Sequence, residues 1–226
     1  HPFFSDDNRY VFVFNGEIYN YIELKKELQK KGCIFKTRTD TEVLLKGLIL
    51  EGPKFQLKCN GMWAFCLWDR RLKKALIGRD RFGIKPLYYY QTDRLFIFGS
   101  EMKAITPFIK KIEKSKNFDS FAKSIFNYES TEECVIKGIK RLKAGNYLIY
   151  KNKNINIHKY WNTLDHIEFV NNNYDEQVEE WRYLFLDSVK LRMRSDVPIG
   201  SALSGGLDSS SVVAAMSFIS KNNNEK

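Results

Sequence analysis

Ser204-Gly205-Gly206-Leu207-Asp208-Ser209-Ser210 is the densest group of residues in this chain that could do chemistry. Two adjacent glycines permit tight backbone geometry and close approach of a ligand. Successive N–H groups in such a turn can form an anion-binding nest, and a helix that starts there turns its positive end to the same place. The hydroxyls of Ser204, Ser209 and Ser210 add donors. Val197 to Leu203 reads as a short strand in front, and Val212, Val213, Met216 and Ile219 follow at helical spacing. Strand, glycine-rich turn and helix together make a phosphate cradle. It is not the G-x-x-x-x-G-K-[ST] loop, because no lysine reaches in. The bland alternative is a capped helix behind flexible glycines.

A second group lies near the other end. Phe14-Asn15-Gly16-Glu17-Ile18-Tyr19-Asn20 follows Tyr10-Val11-Phe12-Val13, an aromatic and β-branched run that reads as a strand. Asn-Gly is a strong signal for a two-residue hairpin turn. Yet Tyr21, Leu24, Lys25 and Leu28 come next at helical spacing, so no second strand is there to turn into. Further on, Thr39-Asp40-Thr41-Glu42 has the capping-box pattern, with Asp40 and Glu42 placed to complement a helix N-terminus.

The elements that must position these groups are legible in outline. Helices are expected from about Asn20 to Lys31 and from Thr39 to the stop at Gly52-Pro53. Gly61 to Asp69 is apolar on both alternating faces and should be a strand covered on both sides. Asp69-Arg70-Arg71 turns into a strand from Leu72 to Gly78, and short strands are expected at Leu87–Gln91, Leu95–Phe98, Asn146–Lys151 and Ile155–Tyr160. Two interior sheets flanked by helices suit this order. Residues 162–175 turn polar, with Asn171-Asn172-Asn173 in the middle, and read as a linker. A helix from Glu176 to about Arg194 follows, its stripe made by Val178, Trp181, Leu184, Phe185 and Val189.

Composition narrows the classes. Of the 226 residues 43% are hydrophobic and 15% aromatic, enough to bury a core. No apolar run approaches the roughly 18 residues of a membrane-spanning helix. The net charge is +10, but its lysine pairs (Lys25-Lys26, Lys30-Lys31, Lys73-Lys74, Lys110-Lys111) are spread over several elements, which describes a solvated surface and not a nucleic-acid footprint. Cys33, Cys59, Cys66 and Cys134 show no metal-ligand spacing, and scattered free thiols suit a reducing cytoplasm. The chain opens at His1-Pro2-Phe3 and closes at Asn224-Glu225-Lys226, and both ends are expected to be cut.

Leu203-Ser204-Gly205-Gly206-Leu207-Asp208-Ser209-Ser210 resembles the pyrophosphate-binding loop of ATP pyrophosphatases. Phe14 to Asn20, Thr39 to Glu42, Arg79-Asp80-Arg81-Phe82-Gly83-Ile84-Lys85-Pro86-Leu87-Tyr88-Tyr89 and Ser100-Glu101-Met102-Lys103-Ala104 resemble the glutaminase domain of the glutamine-hydrolysing asparagine synthetase family. Ile139 to Gly145 and Tyr160-Trp161 match the later part of that domain, with Ala144 where the family usually has proline. The resemblance covers essentially the whole chain.

It implies an α+β fold: an N-terminal-nucleophile-type αββα sandwich over residues 1–161, the linker, then the beginning of a parallel α/β ATP-binding domain over 176–226. It implies a ligase that uses glutamine as amido donor to make asparagine from aspartate and ATP. Asn15 and Gly16 would form the oxyanion hole, Asp40 and Glu17 would bind the α-ammonium of glutamine, and residues 203–210 would hold ATP. Asp208 would lie near magnesium on the pyrophosphate. Arg79 and Asp80 are expected to pair and stiffen a turn, and Ser100 and Glu101 to lie near the path of ammonia. The partners implied are small molecules, without nucleic acid or membrane, and a homodimer is admitted. The family's nucleophile is a cysteine directly after the initiator methionine, and its carboxylate-binding arginine precedes the position of His1. The chain as it stands is therefore expected not to hydrolyse glutamine. A relative that amidates another carboxylate, or a scaffold that keeps the fold without catalysis, are the alternatives.

Overall fold

The computed structural model describes residues 2–124, 128, 131–170 and 172–224. His1, Asn171 of the expected linker and the closing Glu225-Lys226 lie outside the described residues. The chain divides into two units, His1–Asp165 and His166–Lys226.

The strands of the first unit are β1 Phe3–Phe4, β2 Tyr10–Ile18, β3 Gly61–Asp69, β4 Lys74–Arg79, β5 Tyr88–Gln91, β6 Phe96–Gly99, β7 Lys140–Arg141, β8 Asn146–Lys151 and β9 Asn154–Lys159; its helices are α1 Tyr21–Lys30, α2 Asp40–Glu51 and α3 Phe118–Lys123. Six strands form one antiparallel sheet in the order β1-β2-β3-β4-β8-β9, and three form a second in the order β6-β5-β7. Side-chain alternation decides what each face meets. Phe12, Ile18, Trp63, Phe65, Leu67 and Leu76 face α1 and α2, where they pack on Leu24, Leu28, Leu44 and Leu48. Ala64, Cys66, Ala75, Ile77 and Leu148 face the second sheet and meet Leu87 and Tyr89. Apolar residues on both faces of β3 are thus both used. On the outer side of the second sheet, Ile105, Cys134 and Ile139 pack with Tyr88, Tyr90 and Ile97. The result is two antiparallel sheets packed face to face with α1 and α2 on one outer side, an α+β fold as expected.

α2 starts and stops where the sequence says. Thr39 Oγ1 accepts the N–H of Glu42, and Gly52 leaves the helix at φ +66°. The reciprocal half of the capping box is absent. The Glu42 carboxylate, 2% exposed, accepts instead from the N–H groups of Lys36 and Thr37 and from the Thr37 hydroxyl, tying down the loop before the helix.

The second unit departs further from expectation. Its helices are α4 Tyr174–Arg192 and α5 Leu207–Asn224. α4 begins inside the stretch expected to be linker, because Asn173 caps it by accepting from the N–H groups of Asp175 and Glu176. Val189, Ala215 and Ile219 join the two helices, with Phe185, Leu186, Met193 and Met216 around them. Only the last part of the expected stripe is used: Val178, Trp181 and Leu184 are exposed. The expected strand Val197–Leu203 is not formed, so among the described residues this unit is two helices and not yet a parallel α/β layer. A parallel strand exists only through its ladder partners. None of the described segments supplies one.

The β3–β4 hairpin shows how charge fixes register. Asp69 closes β3 and turns its carboxylate back on the loop, where Oδ1 accepts the N–H groups of Arg71 and Leu72. Arg9, entering β2, grips the same carboxylate in a fork, Nε to Oδ1 at 3.2 Å and Nη2 to Oδ2 at 2.7 Å. Arg9 first, and then the turn N–H groups, hold the Asp69 carboxyl at about 2. With the folded value depressed, this stability is fully present above about pH 4 and is lost as pH falls toward 2. Asp69→Asn should cost about 1–2 kcal/mol at pH 7, and the gap to the unmutated protein should close by about pH 2. Urea unfolding at several pH values tests this. A gap independent of pH would reject the assignment.

Candidate active site

Asn15 and Gly16 do not end a strand. β2 runs on to Ile18, and Asn15 and Gly16 lie opposite Ala64 and Trp63 in mid-ladder, so the hairpin-turn reading also fails. Along β2 the odd residues point to the second sheet. Asn15 therefore projects beside Val13 into a cavity of about 280 Å³ between the sheets, lined also by Ala64, Cys66, Phe98 and Ser100. Its Nδ2 donates to Ser100 Oγ at 3.0 Å, immediately past the end of β6. Glu17 shares Asn15's face and is exposed.

Gly16 is glycine because the strands come too close for anything else. A Cβ there would stand 2.1 Å from the Met62 carbonyl oxygen and 2.8 Å from Trp63 Cα. Its N–H has a definite direction. The backbone of Trp63 is turned to the other side, its N–H donating to Asp80 Oδ2 at 3.2 Å and its carbonyl accepting from the Asp80 N–H at 2.9 Å. Gly16 and Trp63 are thus a non-hydrogen-bonded pair, and the N–H of Gly16 points away from β3. On that edge β1 pairs only with Val11 and Phe12.

Asp40 is brought to the same edge. The N–H of Ile18, two residues on and pointing the same way as that of Gly16, donates to Asp40 Oδ2 at 2.9 Å. Alternate N–H groups on one edge are about 7 Å apart. A backbone N–H turned away from β3 and an anchored carboxylate are therefore set along one strand edge, with the Asn15 amide held on the adjoining face.

Arg79 and Asp80 were expected to stiffen the neighbouring loop by pairing with each other; the hydrogen bonds that stiffen it run instead between each of them and the backbone. The Asp80 side chain, 1% exposed, takes four N–H donors: Phe82 and Ile84 on Oδ1, Trp63 and Lys85 on Oδ2. Arg79 donates to the carbonyls of Lys85 at 2.8 Å, Leu142 at 2.7 Å and Gly83 at 2.6 Å. Gly83, at φ +69°, gives the turn its left-handed residue. Of the two residues expected along an ammonia path, Ser100 reaches the cavity, whereas Glu101 is at the surface with Lys103, 2.6 Å away. Cys66 belongs to the core between the sheets and also lines the Asn15 cavity, on the same face of β3 as Ala64. Burial pushes its thiol up to about 12, and that of Cys59 likewise.

The Ser204 to Ser210 group is local. Gly205 takes φ +81° before α5. The first helical bond runs from the Ser210 N–H to the Gly206 carbonyl, so the N–H groups ahead of it are those that a helix start leaves for other partners. Ser209 and Ser210 donate their hydroxyls to the Gly206 carbonyl, and Ser204 Oγ lies 3.0 Å from Ser209 Oγ. Residues 203–208 are exposed, Asp208 in the first turn among them. A left-handed glycine followed by an open helix start fits an anion. Among the described residues no three His, Cys, Asp or Glu side chains gather to hold a metal ion. Asp208 could bind one only together with ligand oxygens, in the manner of magnesium on a polyphosphate.

Residues 1–161 match the family model for the glutamine amidotransferase domain, and residues 180–224 that for asparagine synthase. A putative glutamine-hydrolysing asparagine synthetase 2 of Methanocaldococcus jannaschii is 40% identical over 213 residues, covering 91% of this chain and 40% of that protein. The glutamine-hydrolysing asparagine synthetase 3 of Bacillus subtilis is 37% identical over 212 residues, covering 91% of this chain and 33% of its own. The chain thus spans about a third to two fifths of the length of the curated relatives it matches. In fold it is similar to the glutamine phosphoribosylpyrophosphate amidotransferase of B. subtilis complexed with ADP and GMP, with a TM-score of 0.50, 20% identity, and 71% of this chain and 31% of that one covered.

Asp80 supplies the prediction of this site. Asp80→Asn keeps the size but sets an NH₂ group against two of the four N–H donors. It should cost about 3 kcal/mol in urea unfolding followed by tryptophan fluorescence. A loss below about 1 kcal/mol would mean that the loop holds without the carboxylate.

Proposed function

This chain belongs to the glutamine amidotransferase domain family, and from that premise we propose that it is part of a glutamine-hydrolysing asparagine synthetase. Residues 1–161 are the glutaminase domain in this reading, 162–175 the connection, and 176–226 the start of the ATP-binding domain. The observation that carries the glutaminase assignment is the edge of β2. The Gly16 N–H and the Asp40 carboxylate stand along it, and Asn15 offers its amide beside them.

A thiolate attacking the amide carbon of glutamine makes a tetrahedral centre whose oxygen takes the negative charge. Asn15 Nδ2–H and the Gly16 N–H receive that charge from donors already in place. Asp40 grips the α-ammonium of the substrate by a charge-assisted contact, and Glu17 assists from the same strand. In this reading the attacking thiol is the N-terminal cysteine that the resemblance implies, and not one of the four cysteines present. Cys59 and Cys66, pushed up to about 12 by burial, are unsuited to the task, and Cys134 is also buried.

Ammonia released there passes to the second domain. The turn Leu203 to Ser210 holds the phosphates of ATP, with Gly205 and the first-turn N–H groups of α5 as donors. Aspartate is activated on its β-carboxylate with loss of pyrophosphate, and ammonia displaces AMP to give asparagine. Magnesium, bound through phosphate oxygens and Asp208, would offset the charge of the departing pyrophosphate. The partners are small molecules, glutamine, aspartate and ATP, and not nucleic acid. A cytoplasmic setting suits four cysteines that form no disulfide, and among the described residues no helix is long and apolar enough to cross a membrane.

In the full-length protein, Asn15→Ala should lower glutamine-dependent asparagine formation by about 10²–10³, whereas formation from added ammonia should be retained. Parallel assays with the two nitrogen sources decide it. Equal loss with both sources, or none with either, would remove Asn15 from the oxyanion hole.

A further inference from the structure

The hydrogen bond from Asn15 Nδ2 to Ser100 Oγ joins the two sheets at the cavity, and nothing in the functional reading requires it. Asn15 is fixed to the first sheet by its place opposite Ala64 on β3. Ser100 is fixed to the second. It follows β6, where Gly99 pairs with Tyr88 of β5 and Phe98 packs in the core between the sheets. The geometry points to Ser100 as a positioning residue for the oxyanion hole, an inference that rests on the glutaminase reading of Asn15.

The terminal torsion of asparagine is broad and roughly two-fold, so an exposed Asn amide can turn its NH₂ group toward or away from a given point. Asn15 is exposed on its strand, and the apolar lining of the cavity, Val13, Ala64 and Phe98, offers its amide nothing to bond. Ser100 accepts one Nδ2 hydrogen at 3.0 Å and leaves the second free for the developing oxyanion. The orientation is then set before substrate arrives, which is where oxyanion donors gain their strength. Ser100 acts only through Asn15. Its effect must appear in the chemical step and must vanish when Asn15 is absent.

The test is a double-mutant cycle in the full-length enzyme, with glutamine hydrolysis as the readout. Ser100→Ala should lower kcat about tenfold and leave KM for glutamine within about twofold, while Ser100→Thr, which keeps the acceptor, should stay within about threefold of the unmutated enzyme. Adding Ser100→Ala to Asn15→Ala should lower kcat no further, within about twofold. If Ser100→Ala does not fold, Ser100→Cys keeps the size, weakens the acceptor and runs in the same cycle. An independent further loss in the double variant, or a single variant within about twofold of unmutated kcat, overturns the inference and leaves the role of Asn15 standing. An unmutated enzyme that does not hydrolyse glutamine overturns the functional reading and this inference with it.

Discussion

Four backbone N–H groups converge on the buried carboxylate of Asp80, and the geometry of the first unit depends on that convergence. An ionised carboxylate taken out of water needs its lone pairs filled, and four donors fill them. Three of the donors belong to the loop that leaves β4 for the second sheet, so the carboxylate fixes how the chain passes from one sheet to the other. The fourth, the Trp63 N–H, lies on β3. By holding both backbone groups of Trp63 on the β4 side, Asp80 sets the hydrogen-bonding phase of β3, and through it the direction in which the Gly16 N–H points. Arg79 completes the arrangement from the carbonyl side, reaching Leu142 just after β7.

Close approach of two strands does the rest. Gly61 is as constrained as Gly16, since a Cβ on it would stand 2.1 Å from the Glu17 carbonyl oxygen. Each strand gives up a side chain at the same end of the ladder, with Gly16 opposite Trp63 and Gly61 opposite Ile18. Packing between backbones thus accounts for Gly16 independently of any substrate. The absence of a side chain there serves both purposes: it lets β3 approach, and it leaves the Gly16 amide uncovered. A glycine with two reasons to be glycine is a poor place to separate fold from function by mutation. Asn15, whose side chain contributes nothing to the ladder, is a better one.

What the sequence disclosed followed the range of the interactions involved. β3 was legible with its bounds because apolar residues on both faces can only be a strand between two layers. The ends of α2 were legible because Thr39 and Gly52 act within a few residues of themselves. The placement of Asn15 was not, since nothing local shows that β2 continues past Asn-Gly; the continuation comes from β3, more than forty residues away, and from Asp40 taking the Ile18 N–H. Glu42 stands in the first turn of α2 as expected, but the direction of its side chain was not legible, for a related reason. Its carboxylate had a choice of backbone donors, and the loop at Lys36 and Thr37 supplied more of them than the helix start did. Val197 to Leu203 has strand composition, but composition without a ladder partner leaves the backbone with nothing to pair.

The two candidate sites differ in the same respect. The turn at Ser204 to Ser210 draws all its groups from seven consecutive residues, so its chemistry could be named from the sequence, and its geometry needs little beyond a left-handed Gly205 and a helix start. The edge of β2 draws on β2, β3, the start of α2 and the end of β6, and its proposed chemistry was named only through resemblance. A site of that kind inherits the rigidity of the packing between its elements. Val13, Cys66 and Phe98 line the Asn15 cavity and belong to the core between the sheets, so the position of the Asn15 amide and the density of that core are one property. A change that loosens the core should therefore loosen the placement of the Asn15 amide, even where it touches neither Asn15 nor Gly16.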